Sequence, residues 1–305
     1  VAWLVEEGGA KPGTITAVTF TNRAAAELRE RLAARLGRRK ANTVTAGTFH
    51  SICLALLENR LTGRRLADPY EQRELAAAVL AELGDRRSPG ALLQAVSLWK
   101  RGGAAEEAPA FSRYQEKLAG AGMLDFDDLL LEVLTLWEAG QRDKRFTHLL
   151  VDEFQDIDPL QYRLISAGRN PEGTLFAIGD PDQSIYSFRG ADPACFRRLS
   201  GDIPDLCTVR LTSNYRSTPE ILACALPVVE ANGGPARSLR AEGPHGTPVR
   251  LLSAQTQWEQ AACIAREIAR MVGGVGMLEA HALEAGRGSR AFGDCAVLYR
   301  TRRQA

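Results

Sequence analysis

The chain has 305 residues, 45% hydrophobic and 25% charged, with a net charge of +1. That is the composition of a folded globular protein with room for two domains, and no apolar run reaches the roughly 18–20 residues of a membrane span. Six scattered cysteines (53, 195, 207, 224, 263, 295) and four unclustered histidines (50, 148, 245, 281) exclude a zinc-finger or disulfide framework and fit free thiols in a reducing cytoplasm.

In chain order, Thr14–Phe20 is β-branched and apolar and reads as a strand, with Asn22 capping a helix through Leu36. Val44–Phe49 reads as a second strand and Ser51–Asn59 as a helix. Residues 70–140 lose strand character and read as several helices, broken at Ser88-Pro89-Gly90 and Gly102-Gly103. Strand signals return at His148–Asp152, Leu175–Gly179 and Cys207–Leu211. Asp158-Pro159-Leu160-Gln161 and Ser217-Thr218-Pro219-Glu220 are helix starts with capping-box chemistry. A basic, Gly-rich stretch follows Gly233-Gly234-Pro235. Beyond it the pattern predicts a strand over 247–252, a helix over 256–272, a Gly-rich loop over 273–290 and a strand over 294–299. Strands alternating with helices predict an α/β fold with a mostly parallel sheet covered on both faces. The helical stretch reads as an insertion into it.

The near-neutral total hides an uneven distribution. Residues 1–67 carry a net +6, residues 68–129 −4, residues 130–209 −5 and residues 210–305 +4. Basic flanks around an acidic middle suit a phosphate-rich partner beside a metal-binding centre. Only 5 of the 38 basic residues are lysine, a bias that GC-rich coding explains without any function.

The strongest local signal is Leu149-Leu150-Val151-Asp152-Glu153-Phe154-Gln155-Asp156. An apolar strand delivers two acids at its carboxyl end, where parallel α/β sheets bind ligands. Asp152 there can hold the Mg²⁺ of a nucleotide, and Glu153 can orient or deprotonate attacking water. The bland alternative is a solvated acidic turn. A second strand end, Gly179-Asp180-Pro181-Asp182-Gln183, is either a plain turn or a place where Gln183 senses a γ-phosphate. Tyr186, Phe188 and Arg189 follow at once; two aromatics beside an arginine suit stacking on single-stranded nucleic acid, or else belong to the core. In Leu211-Thr212-Ser213-Asn214-Tyr215-Arg216-Ser217, Arg216 lies near a helix start and can reach a phosphate, and Tyr215 can stack on a base. A surface ion pair is the ordinary role for such an arginine. Finally, Thr19-Phe20-Thr21-Asn22 and its echo Gly47-Thr48-Phe49-His50 end strands in Thr-Phe plus small polar residues, which reads either as phosphate and base contacts or as ordinary turns with buried rings.

Taken in order, TFTNRAAAEL, GTFHSI, LDFDDLL, LVDEFQD, GDPDQSIYSFRGAD, LTSNYRS and DCAVLYRTRRQA resemble the motif series of superfamily 1 helicases of the UvrD/Rep/PcrA type. The resemblance spans nearly the whole chain. It implies a RecA-like, P-loop NTPase-type motor domain formed by residues 1–67 and 130–209. It further implies a helical insertion over 68–129 (the 1B subdomain) and the start of a second RecA-like domain over 210–305 (2A). It implies ATP and Mg²⁺ as cofactors and single-stranded DNA and ss/ds junctions as partners, with 3′–5′ movement in repair or replication. Asp152 is then expected to hold Mg²⁺, Glu153 to be the catalytic base, Gln183 and Arg216 to touch the γ-phosphate region, and Tyr215 to stack on adenine. Phe20, Thr21, Asn22, Thr48, His50, Phe126, Tyr186 and Phe188 are expected to line the DNA track, with Arg189 coupling it to the ATP site.

Three details depart from the family pattern. Trp typically stands where Phe188 is, Tyr often replaces Phe154, and the connection from Asp128 to Asp152 is short. A fourth departure is larger: no Gly-x-x-x-x-Gly-Lys-Ser/Thr occurs in the 305 residues. Gly8–Thr14 (GGAKPGT) is only superficially similar. With Val1 at the start, the expectation is an internal fragment lacking the phosphate loop and the C-terminal motifs, inactive by itself. The alternatives are the helicase subunit of a helicase–nuclease complex, or a non-catalytic single-stranded DNA-binding remnant. A repair-protein or nuclease partner, no membrane and a cytoplasmic location complete the expectations.

Overall fold

In the computed structural model, the described residues are 1–58, 60–102, 109–141, 146–192, 194–233, 237–272, 290–301 and 304. They divide into two compact units, Val1–Thr208 and Val209–Ala305.

The first unit is built on β1 (Ile15–Val18), β2 (Thr45–Gly47), β5 (Phe146–Val151) and β6 (Arg169–Ala177), all parallel, in the order β2-β1-β5-β6. Parallel strands need crossovers, and helices supply them. These are α2 (Asn22–Leu36) and α3 (Arg38–Ala41) between β1 and β2, and α9 (Pro159–Gly168) between β5 and β6. A short helix, α1 (Ala2–Glu6), precedes β1. Because helices cover both faces, β1 is buried at every position, as its β-branched and apolar residues predict. One face packs Leu149, Val151 and Phe154 against α4 (Phe49–Leu57), α8 (Phe126–Glu138) and α9. The other packs Ile15 against Leu32, Ala41 and Val44.

Boundaries differ from the sequence expectation where a hydroxyl takes over. Thr21, rather than Asn22, caps α2, its Oγ1 accepting from the Ala24 N–H at 3.1 Å. Thr48 caps α4, accepting from Ser51, so β2 stops at Gly47 and Phe49 opens the helix. The strand expected at Leu175–Gly179 begins earlier, at Arg169, and ends at Ala177.

Between α4 and α8 the chain leaves the sheet. A two-stranded parallel pair, β3 (Arg65–Leu66) with β4 (Met123–Leu124), marks the exit and return. Between them α5 (Pro69–Leu83), α6 (Pro89–Lys100) and α7 (Pro109–Gly120) bury their own core of Val79, Leu92, Val96, Phe111, Tyr114 and Leu118. The break at Ser88-Pro89-Gly90 is a helix start: Ser88 accepts from Ala91 N–H, and Pro89 occupies the first turn. Gly103 lies outside the described residues. A last helix of this unit, α10 (Cys195–Asp202), packs Cys195 and Leu199 on the main core.

The second unit holds β7 (Ser213–Asn214) paired with β8 (Arg240–Ala241), α11 (Pro219–Glu230) and α12 (Gln257–Val272). The strands expected at Cys207–Leu211, 247–252 and 294–299 do not form. A strand is completed by a hydrogen-bonded neighbour, and these apolar segments have none among the described residues; Leu251 is 97% exposed. Nor does the capping box at Ser217–Glu220 form: Thr218 is the cap position, and the Glu220 carboxylate accepts from Gly246 N–H at 2.9 Å and lies 2.7 Å from His245 Nδ1. The Gly-rich loop expected over 273–290 lies, apart from Arg290, outside the described residues.

Candidate functional site

At the carboxyl end of β5 the pairing with its neighbours runs past the strand. Asp152 N–H donates to Val18 C=O, Ile178 N–H to Val151 C=O, and Phe154 N–H to Ile178 C=O, all at 2.8–3.0 Å. Phe154 is fully buried and anchors the turn. Between a bonded Asp152 and a buried Phe154, Glu153 is forced to φ 51°, ψ 47°, the left-handed region. It is the one described non-glycine residue with positive φ. Such strain persists where surrounding packing imposes it, and it clusters at functional sites. The result is that the Asp152 and Glu153 side chains both leave the core and face solvent.

Gln155, two residues on, is buried yet polar. Its Oε1 accepts from the Asp180 N–H at 3.0 Å, which fixes the amide orientation and turns Nε2 to donate to Glu153 Oε2 at 2.8 Å. Its backbone carbonyl accepts from Ser184 Oγ at 3.2 Å. A Cβ on Gly179 would lie 2.3 Å from Gln155 Oε1 and 2.9 Å from Phe154 N, so this approach of the two strand ends requires glycine. In the turn that follows, Asp180 accepts from Asp182 N–H and from Gln183 Nε2 at 2.7 Å, holding the exposed Gln183 side chain against the acid.

Beside this acidic edge runs a row of rings. Phe20 and Tyr186 stack, with centroids 5.4 Å apart and planes at 23°, and Phe188 lies 6.1 Å from Tyr186. His50 meets Phe126 edge-on at 5.7 Å. Phe20, Phe126 and Phe188 are 36%, 54% and 64% exposed. Phe49 is in the core, so the two Thr-Phe echoes diverge: one ring faces out and the other in. Thr21 and Thr48 use their hydroxyls as helix caps, and Asn22 is exposed on the first turn of α2. The Arg189 side chain lies outside the described residues. A cleft of about 590 Å³ joins the two features, lined by Asp152 and Glu153 and by Phe20, His50, Tyr186 and Phe188.

The cleft is also lined by Gln94, Ser97 and Leu98 of α6 and by Arg101, which caps its end. None of these was singled out from sequence, because each reads as an ordinary helix residue until the fold places it. Buried Lys100 bonds Asp125 and Asp128, the capping pair of α8, at 2.6 and 2.7 Å. Asp127 receives Ser97 Oγ at 2.5 Å and Arg101 Nε at 2.9 Å, and Arg101 also faces Asp158 at 3.7 Å. Burial pushes the Asp158 carboxyl up to about 6. Burial, then the Glu153 charge, raises Asp156, and burial lowers His50, whose Nε2 has no hydrogen-bond partner among the described residues. A neutral imidazole with a spare nitrogen therefore lies at the cleft at neutral pH.

Tyr215 and Arg216 belong to the second unit. Asn214 Oδ1 accepts from the backbone N–H of Arg216 and Ser217, forming a turn that leaves both side chains exposed, Tyr215 by 82%.

Among the described residues no group of three or more His, Cys, Asp or Glu could cage a metal ion. Mg²⁺ asks for less than a cage: one or two carboxylates with substrate phosphates completing its shell. An exposed Asp152 carboxylate at a strand end, beside Glu153, fits that demand. No helix of the described residues is long and apolar enough to cross a membrane.

A family profile describing the UvrD/REP helicase N-terminal domain matches residues 1–74 and 68–204. The chain is 33% identical to the ATP-dependent DNA helicase UvrD1 of Mycobacterium tuberculosis, over 99% of this chain and 42% of that protein. It is 30% identical to DNA helicase II of Escherichia coli and to the ATP-dependent DNA helicase PcrA of Staphylococcus aureus, over 100% of this chain and 44% of each. The chain thus spans less than half the length of these relatives.

Proposed function

The chain belongs to the UvrD/REP helicase family, and we propose that it is motor machinery of an ATP-dependent, 3′–5′ single-stranded DNA translocase that serves DNA repair or replication in the cytoplasm. One observation carries this reading: the acidic end of β5 and the Phe20–Tyr186 stack open onto the same cleft. Chemistry on a nucleotide and grip on a strand then share one cleft. The relatives' names point the same way.

In this reading residues 1–67 and 130–209 form the first RecA-like domain, 68–129 its helical insertion and 210–305 the opening of the second. Asp152 supplies the carboxylate for Mg²⁺, which when bound offsets phosphate charge. Glu153 accepts the proton of the attacking water at its carboxylate. Gln183 and Arg216 bind γ-phosphate oxygens, and Tyr215 stacks on the adenine. Phe20, Tyr186 and Phe188 stack on bases, with Thr21, Asn22, Thr48, His50 and Phe126 alongside and Arg189 coupling track to nucleotide.

The 305 residues contain no Gly-x-x-x-x-Gly-Lys-Ser/Thr, and that loop supplies the backbone cradle for the phosphates. We therefore expect the isolated chain to bind single-stranded DNA without turning over ATP. The test is fluorescence anisotropy with a labelled dT oligonucleotide, run across a salt series, beside a DNA-stimulated ATPase assay. Salt-sensitive binding without turnover supports the reading. Robust ATP turnover would overturn the need for the missing loop, and binding indifferent both to salt and to changes at Phe20 and Phe188 would overturn the track.

A further inference from the structure

We propose that Gln155 is a positioning residue whose side-chain amide ties the Glu153 carboxylate to the Asp180–Ser184 turn, so that a DNA strand seated on Tyr186 and Phe188 is sensed at Glu153. The inference deepens the reading above and rests on it.

The geometry supplies a direct route. Asp152 and Glu153 face solvent, and the surrounding turn holds the Glu153 backbone in the left-handed region. The Glu153 carboxylate accepts a side-chain hydrogen bond from Gln155 Nε2. The other end of the same amide, Oε1, takes the backbone N–H of Asp180. Asp180 opens the turn that carries Gln183, and Tyr186 and Phe188 follow within eight residues of chain. Ser184, two residues before Tyr186, bonds the Gln155 carbonyl directly. One buried side chain thus touches the carboxylate at one end and the base of the aromatic loop at the other.

The contact is also built to be tight. Gln155 is 3% exposed, so its amide has no water to exchange partners with. The missing Cβ at Gly179 is the space its Oε1 occupies. A shift of the Asp180–Ser184 turn must therefore move the Gln155 amide or break a buried hydrogen bond. Moving the amide moves the Glu153 carboxylate.

Two substitutions separate the two ends of the amide. Gln155→Glu, studied at a pH high enough to ionise the new carboxyl beside Glu153, keeps an acceptor for Asp180 N–H and removes the donor to Glu153. Gln155→Leu removes both. The experiment is NMR on the 305-residue chain with ¹³C-carboxyl-labelled glutamate and labelled aromatic rings, titrated with a dT oligonucleotide; Glu153→Gln assigns the Glu153 signal. In the wild type, the Tyr186 and Phe188 ring signals and the Glu153 carboxyl signal are expected to move together along the titration. In Gln155→Leu and Gln155→Glu the rings still respond and the Glu153 response is lost. Amide exchange at Asp180 is expected to rise about tenfold or more in Gln155→Leu and to stay within about twofold of wild type in Gln155→Glu, which also shows that the second variant retains the fold.

If the rings respond and Glu153 does not, or if Glu153 still responds in both variants, the positioning role is wrong while the DNA track survives. If the rings fail to respond in the wild type, the track reading itself falls and the inference falls with it.

Discussion

The Phe20 ring, at the end of β1, lies stacked on Tyr186, which follows β6 by nine residues, at 5.4 Å and 23°. Two distant chain segments thereby present one aromatic platform at the cleft. Each ring is worth on the order of 1–3 kcal/mol to a stacked base. Phe20→Ala and Tyr186→Ala are each expected to weaken binding of a dT oligonucleotide by about 5- to 150-fold. Because the two rings also hold each other, the double variant should lose less than the sum of the two. Anisotropy titrations of the three variants at fixed salt measure this. Fully additive losses would show that the rings act separately.

The turn at Glu153 stores strain that a smaller residue relieves. A left-handed non-glycine residue costs about 1–2 kcal/mol, part of which a glycine gives back through unfolded-state entropy. Glu153→Gly is expected to raise the stability of the first unit by about 0.5–1 kcal/mol in urea unfolding while deleting the carboxylate. Gly179→Ala should do the reverse, costing about 1–3 kcal/mol, because its Cβ would collide with Gln155 Oε1 and Phe154 N. A destabilised Glu153→Gly chain would mean that its carboxylate, rather than the packing around it, holds the turn.

Lys100 sits among Asp125 and Asp128 with its side chain 1% exposed. Lys100→Met strands two buried carboxylates and is expected to cost about 3–5 kcal/mol. The Arg64–Glu132 pair, each side chain about a third exposed, offers the contrast: Arg64→Met should cost less than about 1 kcal/mol. Chemical denaturation of both variants under one set of conditions gives the comparison. Similar losses would remove the special place assigned to Lys100 as the tie between α6 and α8.

Asp158 carries a pH dependence of definite sign. Burial holds its carboxyl at about 6 in the folded chain, against about 3.9 in an unfolded one. A raised carboxyl favours the protonated folded form, so this stabilisation is full below about pH 4 and is lost as pH climbs through 6. Asp158→Asn keeps a capping side chain for α9 and removes the titration. Between pH 4 and pH 7 the wild type should therefore lose on the order of 2 kcal/mol relative to the variant. Parallel pH dependences of the two would exclude Asp158 as the source.

Much of this was legible in order along the chain. The apolar Leu149-Leu150-Val151 run before Asp152 marks the end of β5, and the adjacent acids mark where the chain leaves the sheet, because charged side chains are placed at a strand's exposed end. Asp158-Pro159-Leu160-Gln161 marks the start of α9, since the side chains that close a capping box lie within four residues of each other. Lys100, Arg101 and Gln155 carry no such local mark. Lys100 reads as the solvated end of a helix and Gln155 as a polar turn residue. Only the return of α8 against α6, and of β6 against β5, surrounds them with partners.

The sequence by itself determined the parallel α/β alternation, the helical insertion, the acidic strand end and the family, because each depends on local periodicity, capping or motif order. The tertiary structure decided which of two matching Thr-Phe segments leaves its ring exposed: Phe20 outward, Phe49 into the core. It decided that three apolar stretches after residue 206 form no strands, since a strand exists only with a neighbour to bond. And it placed the carboxylates and the aromatic row on one cleft, a relation between residues as far apart as Phe20 and Tyr186 that no local pattern encodes.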